Sequence, residues 1–210
     1  MMKRIFAQLA VIAVGALALM GLGAVSSLIA GHEGLTGVEL AAETADSAAQ
    51  SGTVEGQLKA TQAELERAHR ILEFSGRYSI PADLSALIYD HAVAEGIPPA
   101  LGFQLVKIES DFKNSAQSYR AAIGLTQLQL LTARAYDPTV DPSDLMNPST
   151  NLRIGFRYLK DLMERFDNDL ALALEAYNKG PTLVTAQMEQ GENVRGKYSQ
   201  KVMRGIRAGS

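Results

Sequence analysis

Apolar positions along this chain follow three different rules. From Ile5 to Ala30 they form one nearly continuous run, broken only by Gln8 and a few Gly and Ser, with Lys3 and Arg4 in front. A bilayer core takes about 20 apolar residues in helix. A signal-peptide core is shorter, about 7–15 residues. The run is therefore read as an uncleaved signal-anchor over residues 1–30. The small residues around Ala24-Val25-Ser26 leave a cleaved signal peptide as the alternative. The basic flank predicts a cytoplasmic N-terminus and an exported body. Residues 31–53 lose this pattern and turn to Gly, Ala, Ser, Thr and acidic residues with no Lys or Arg, which predicts a linker with partial helical character. Val54, Leu58, Thr61, Leu65, Ala68 and Leu72 then alternate spacings of four and three. That is an amphipathic helix over 54–76 with a narrow apolar seam, too short to specify a coiled coil, which either docks on the following domain or acts as a stalk.

From residue 77 onward the apolar residues keep helical spacing between Pro and Gly breaks. Pro81 opens a helix with Leu84, Leu87 and Ile88 on one face, and Gly96 ends it. Pro98 and Pro99 start the next. A turn at Ala121–Gly124 predicts a helix through Gln127, Leu128, Leu131 and Ala135. Pro138, Pro142 and Pro148 punctuate a loop. Leu152, Gly155, Phe156, Leu159, Leu162, Met163 and Phe166 form a long helical stripe. Asp169 is placed to cap a short helix through Tyr177 that ends at Gly180-Pro181. Two more helices are expected over 182–190 and 198–207. No segment alternates with period two, so residues 77–210 are expected to be all-α.

Composition narrows the chemistry. Of 210 residues 47% are apolar, enough for one globular domain, and the net charge of −3 gives no reason to expect nucleic acid. There is no cysteine, so disulfides, thiolate chemistry and a lipidated cysteine are excluded. His32, His69 and His91 do not stand at metal-ligand spacing, and neither a metal nor a cofactor is expected.

The stretch VKIESDF, residues 106–112, sets Glu109 and Asp111 in an apolar context. Residues two apart on a helix point about 200° away from one another. The two carboxylates therefore cannot share one face. Leu101, Leu105, Ile108 and Phe112 mark the buried stripe; Glu109 lies at its edge and Asp111 on the far side. The helix alone leaves Glu109 open between a boundary charge reaching water and a desolvated carboxyl fit for general acid chemistry.

The residues that follow resemble the lytic transglycosylase SLT domain, a family with a lysozyme-like fold. The resemblance rests on Glu109-Ser110, Ser118, Gly124-Leu125-Thr126-Gln127 and Thr132-Ala133. It continues through Asn151, Gly155, Tyr158 and Leu159, then Ala176-Tyr177-Asn178 with Gly180-Pro181. Three ordered motifs span about the last 130 residues, and together they are far more specific than any one alone. The resemblance implies a lysozyme-like helical domain with a catalytic cleft over residues 77–210. It implies cleavage of the β-1,4 bond between N-acetylmuramic acid and N-acetylglucosamine, with Glu109 as the single acid and base. Glu109 would protonate the leaving oxygen, then take the proton of the muramic C6 hydroxyl as that oxygen attacks C1 and closes a 1,6-anhydro ring. Ordinary glycosidases need a second carboxylate; here the substrate's N-acetyl group would assist, and the nucleophile is intramolecular. The resemblance also assigns substrate contacts to Ser118, Gln127, Gln129 and Tyr177, with the Tyr177 hydroxyl approaching Glu109. It gives Asn178 a place in the site, as a residue that shapes the turn there, and Gly124 a structural role through positive φ or close backbone approach.

The sequence departs from the family pattern at Ala121 (usually Gly), Thr126 (Met), Leu130 (a region that often carries Pro), Lys179 (Ala) and Glu175 (a small residue). These bear on subsite preference and leave the acid in place. Tyr198 and Val202 resemble a Tyr-x-x-x-Val helix of the family. Expected partners are peptidoglycan glycan strands, the inner membrane through residues 1–30, and proteins of an envelope complex, with no nucleic acid. The expected location is the cell envelope, as an inner-membrane-anchored extracytoplasmic domain, or a secreted one if the leader is cleaved. A lysozyme-type hydrolase and a non-catalytic wall-binding scaffold remain the alternatives.

Overall fold

Pro148 sets the start of the helix around which the rest is built. Its fixed φ suits a first helical turn, and Asn147 before it accepts the Ser149 and Thr150 N–H groups at 3.0 and 3.1 Å. The computed structural model describes residues 37–207, with side chains from residue 54, so the anchor expected over 1–30 lies outside the described residues. The elements are α1 (Gly37–Tyr78), α2 (Ala82–Ala94), α3 (Pro99–Ser110), α4 (Leu130–Arg134), a 3-10 turn (Asp144–Met146), α5 (Pro148–Arg165), α6 (Leu170–Lys179), α7 (Pro181–Glu189) and α8 (Lys197–Arg207). There is no strand among the described residues, only isolated bridges, which agrees with the all-α expectation. No helix among them is long and apolar enough to cross a membrane.

The chain divides into two units between Ala63 and Glu64. In the first, α1 takes in residues 37–53, which composition reads as linker, and Val54 and Leu58 are exposed. In the second, the predicted seam also faces water: Leu65 is 70% and Leu72 63% exposed. The face of α1 that is buried carries Ile71 and Phe74 instead. Phe74 lies two residues beyond Leu72, hence on the opposite side of the helix, and its ring stacks on Phe103 with centroids 4.2 Å apart. Leucine spacing marks a stripe, and aromatic packing decides which stripe the domain buries.

Helix α5 joins all three apolar clusters of the second unit. Leu152, Phe156 and Leu159 enter the main core with Ile88, Phe103, Leu105 and Leu174. Ile154 enters a second cluster with Ile123, Leu128 and Leu145. Leu162 enters a third with Phe166, Ala173 and Val184. Each fully buried aliphatic or aromatic side chain of this kind contributes about 1.5–3 kcal/mol. Helices α2 and α6 lie against α5, and α8 lies against α3 and α6. This last arrangement brings α8 to the end of α3 where Glu109 sits.

One expected helix is not formed as predicted. Residues 124–129 are a looped turn, and α4 starts only at Leu130. Ile123 and Leu128 exchange both backbone hydrogen bonds, at 2.9 and 3.0 Å, and Gln127 between them is left-handed at φ 50°. The apolar residues there look helically spaced because they serve different neighbours. Leu125 belongs to the main core and Leu128 to the second cluster, while Leu131 is exposed.

Candidate active site

Glu109 occupies the last turn of α3, half-buried, while Asp111 caps the helix in a left-handed conformation at φ 53° and is exposed. Phe112 is left-handed as well, at φ 60°, so the chain turns sharply away just after Glu109. The two carboxylates are held in opposite conditions. Burial pushes the Glu109 carboxyl above its ordinary value, although a hydrogen bond from Tyr198 and the charge of Lys201 pull the other way. Asp111 is held below its ordinary value by its hydrogen bond and ion pair with Lys107. The Tyr198 hydroxyl donates to Glu109 Oε1. Burial and the neighbouring Glu109 charge push Tyr198 well above the usual phenol range, so it remains a donor.

The wall opposite Glu109 is the loop over residues 116–128. Gly124 N donates to the Ala116 carbonyl at 2.9 Å, and Ser118 N to the Ala122 carbonyl at 3.0 Å. The Gln127 amide donates to the carbonyls of Ala116 and Gly124, at 3.1 and 2.9 Å, which ties the loop to itself. The Ser118 hydroxyl accepts the Ala122 N–H at 3.1 Å. Behind the loop stands Asn151 of α5, fully buried. Its Oδ1 accepts the Thr126 N–H and hydroxyl at 2.8 and 2.7 Å, and its amide donates to the carbonyls of Ile123 and Leu145 at 2.9 and 3.0 Å. Gly124 sits directly over this group at φ 78°, where a Cβ would come within 2.4 Å of Asn151 Nδ2. Gly155, one turn further along α5, leaves room for the Thr126 side chain: a Cβ there would lie 2.3 Å from its hydroxyl.

A cleft of about 470 Å³ is lined by Glu109, Asp111, Ser118, Gln127 and Lys201, among others. It brings together three of the residues singled out from the sequence: Glu109, Ser118 and Gln127. Gln129 and Asn178 are exposed and do not line it. Nor does Tyr177, whose hydroxyl donates to the Thr126 carbonyl at 2.8 Å and whose ring lies 5.1 Å from that of Tyr158. Tyr177 still feels the Glu109 charge, which adds to burial in raising it well above the phenol range. The hydroxyl that donates to Glu109 belongs to Tyr198, and sequence reasoning did not place Tyr198 in the site. The local signal is slight: Tyr198 and Lys201 are three apart at the start of a short helix, hence on one face.

The chain resembles known proteins over the same region. The family model described as Transglycosylase SLT domain matches residues 86–199. Peptidoglycan transglycosylase gp16 of Escherichia phage T7 is 30% identical over 105 residues, 49% of this chain and 8% of that protein. The soluble lytic murein transglycosylase of Escherichia coli (strain K12) is 26% identical over 153 residues, 61% of this chain and 23% of that one. Membrane-bound lytic murein transglycosylase C of Actinobacillus pleuropneumoniae serotype 5b (strain L20) is 34% identical over 108 residues, 45% of this chain and 30% of that protein. The chain thus spans less than a third of each of these relatives. Among solved structures, an inactive mutant of the lytic transglycosylase Slt from Pseudomonas aeruginosa superimposes with a TM-score of 0.53 at 25% identity, covering 59% of this chain and 23% of that one. The 70 kDa soluble lytic transglycosylase of Escherichia coli shares the fold, with a TM-score of 0.51 at 23% identity over 57% of this chain and 23% of that one.

Proposed function

The chain belongs to the transglycosylase SLT domain family, and on that premise we propose that it is a peptidoglycan lytic transglycosylase with Glu109 as its single acid and base. The observation that carries the proposal is the condition of Glu109. It is a half-buried carboxyl in the wall of an open cleft, raised by desolvation toward the protonated form a general acid needs, and held in one orientation by the Tyr198 hydroxyl. In the proposed reaction Glu109 gives its proton to the glycosidic oxygen as the C1–O bond of N-acetylmuramic acid breaks. The resulting carboxylate takes the proton of the C6 hydroxyl while O6 bonds to C1. The proton returns to Glu109, no water is consumed, and the product ends in 1,6-anhydro-N-acetylmuramic acid. Ser118 and Gln127 line the same cleft and are proposed to contact the glycan. Gln129, Tyr177 and Asn178 are proposed to act at its margins or by shaping it. The chain is proposed to work in the cell envelope, tethered to the inner membrane through residues 1–30.

The second reading is a lysozyme-type hydrolase, and one observation favours it. Asp111 lines the same cleft and is held ionised, so two carboxyls there are pushed in opposite directions. Against it, Asp111 is exposed and engaged by Lys107. Digestion of purified sacculi followed by mass spectrometry separates the readings. Anhydro-ended muropeptides, lost in Glu109→Gln with the circular dichroism unchanged, are expected. Reducing ends would support the hydrolase, and sacculus binding without product would support a scaffold. Activity retained in Glu109→Gln would remove Glu109 from the reaction.

A further inference from the structure

We infer that Glu175 is a positioning residue for Glu109, acting across the domain by holding the first turn of α8 so that Tyr198 meets the acid. The inference rests on the reading of Glu109 given above. Glu175 lies in α6 and is 1% exposed. Its Oε1 accepts the backbone N–H groups of Gly196 and Ser199, both at 2.9 Å, and its Oε2 meets Lys179 Nζ at 3.0 Å. Gly196 is the residue just before α8 and Ser199 the third residue within it. Helices leave these first N–H groups without intrahelical partners, and a side chain at the capping position normally accepts one. Gly196 has no side chain to offer. Glu175, from another helix, does the capping instead, and its negative charge suits the N-terminal end of the helix dipole. The missing side chain is also what makes room, because a Cβ at Gly196 would stand 2.9 Å from both carboxylate oxygens.

Tyr198 lies between the two captured N–H groups. Fixing Gly196 and Ser199 therefore fixes the backbone that carries Tyr198, and its hydroxyl donates to Glu109. Lys201, three residues on, also bears on Glu109. The charged and titratable groups facing Glu109 are Tyr198 and Lys201 from α8 and Tyr177 from α6. Those facing Glu175 are Lys179 and, more remotely, Tyr198. Burial pushes the Glu175 carboxyl up, but the Ser199 N–H, Lys179 and the Gly196 N–H outweigh it and keep it ionised. The chain of contacts runs from Lys179 through Glu175 and the α8 amides to Tyr198 and Glu109.

A double-mutant cycle on the full chain tests this, with release of muropeptides from purified sacculi followed against pH. Glu175→Ala is expected to slow release about 10–100-fold, the scale of a small misplacement transmitted to a reacting group. In a Tyr198→Phe background the same substitution should cost less than about twofold, because the contact it supports is already gone. The alkaline limb of the pH profile should move to higher pH in both single variants. Tyr198 favours ionised Glu109, so its loss or displacement keeps the acid protonated to higher pH. Glu175→Gln keeps an acceptor for both N–H groups and should recover most of the activity lost in Glu175→Ala. If Glu175→Ala does not fold, Glu175→Gln takes its place in the cycle, with a smaller loss that must still vanish in the Tyr198→Phe background. Additive losses with an unmoved alkaline limb would overturn the inference and reduce Glu175 to a stabilising residue. Glu109→Gln is measured alongside. If it is inactive while the cycle is additive, only the positioning role falls; if it is active, the reading of Glu109 falls and this inference with it.

Discussion

Replacing Asn151 by alanine is expected to cost this domain about 3–5 kcal/mol, and the figure follows from what the side chain leaves behind. Four groups bond to it. Two keep another partner: the Ile123 carbonyl retains the Leu128 N–H at 3.0 Å, and the Thr126 hydroxyl retains the Asn151 carbonyl at 3.3 Å. The Thr126 N–H and the Leu145 carbonyl lose their side-chain partner in a fully buried setting. Each such group costs about 1–3 kcal/mol, and the two lost bonds that have alternatives add a smaller amount. A water entering the vacated space would bring the total toward the lower end. Domains of this size have about 5–15 kcal/mol in all, so the loss is a large part of it. With a urea m-value near 2 kcal/mol/M, a loss of about 4 kcal/mol lowers the midpoint by about 2 M. Urea titration followed by circular dichroism reads this directly. Asn151→Asp adds a control of sign. It keeps an acceptor for Thr126 but turns an oxygen toward the two carbonyls, where only a protonated carboxyl can donate. Its folded pKa is therefore raised, so its deficit against the parent should be small below about pH 3.9 and grow as pH rises through the folded value. An Asn151→Ala loss below about 1 kcal/mol, or an Asn151→Asp deficit that ignores pH, would refute the claim that this side chain holds the loop.

Ala121 is left-handed at φ 58°, exposed, and in a turn where its N–H meets the Ser118 carbonyl. Ala121→Gly relieves about 1–2 kcal/mol of backbone strain and gives back about 0.4–1 kcal/mol through the freer unfolded chain, so the domain should gain up to about 1.5 kcal/mol. A rise of the thermal midpoint checks it, and a fall would contradict it. Asp169 caps α6 by accepting the Ala171 and Leu172 N–H groups at 3.0 and 3.1 Å, and it also pairs with Arg195. Asp169→Ala should cost about 1 kcal/mol at neutral pH. Burial raises the Asp169 carboxyl, but the Leu172 N–H, Arg195 and the Ala171 N–H hold it below its ordinary value. The cap's contribution is therefore present above about pH 3.9 and lost as pH falls through the folded value, and urea midpoints of parent and variant should converge in acid.

Much of this fold could be read from local chemistry. The apolar stripe of α5 and the Asp169 cap of α6 each follow from residues within a few positions of one another, whereas Pro148, read as punctuating a loop, is the first residue of α5 behind the Asn147 cap. What escaped was non-local. Leu125 and Leu128 have helical spacing but enter different clusters, and the left-handed Gln127 between them has no sequence signal of its own. The seam on α1 was visible, but it faces water; the face of α1 that is buried carries Phe74, which packs on Phe103 far along the chain. In the candidate site, helical spacing set Glu109 and Asp111 on different faces, but Asp111 ends the helix left-handed and lines the same cleft; the family motif drew attention to Ser118 and Gln127. Tyr198 meets Glu109 across 89 residues, and no spacing rule reports such a contact. Glu175 and Lys179 look in the sequence like two unrelated departures from the family pattern. In the structure they are one ion pair, and one of its carboxylate oxygens supplies the cap that Gly196 lacks.

The position of α5 has a mechanical consequence. A helix shared by three clusters acts as an axle: among the described residues of the Glu64–Ser210 unit, parting any two clusters means pulling α5 out of one of them. On the proposed function, a glycan strand entering the cleft would meet walls carried on this shared helix. The cleft walls include the loop over 116–128 and, through Lys201, α8. The first is latched by Asn151 and the second by Glu175. Two buried polar side chains thus tie both of these pieces to the helices behind them.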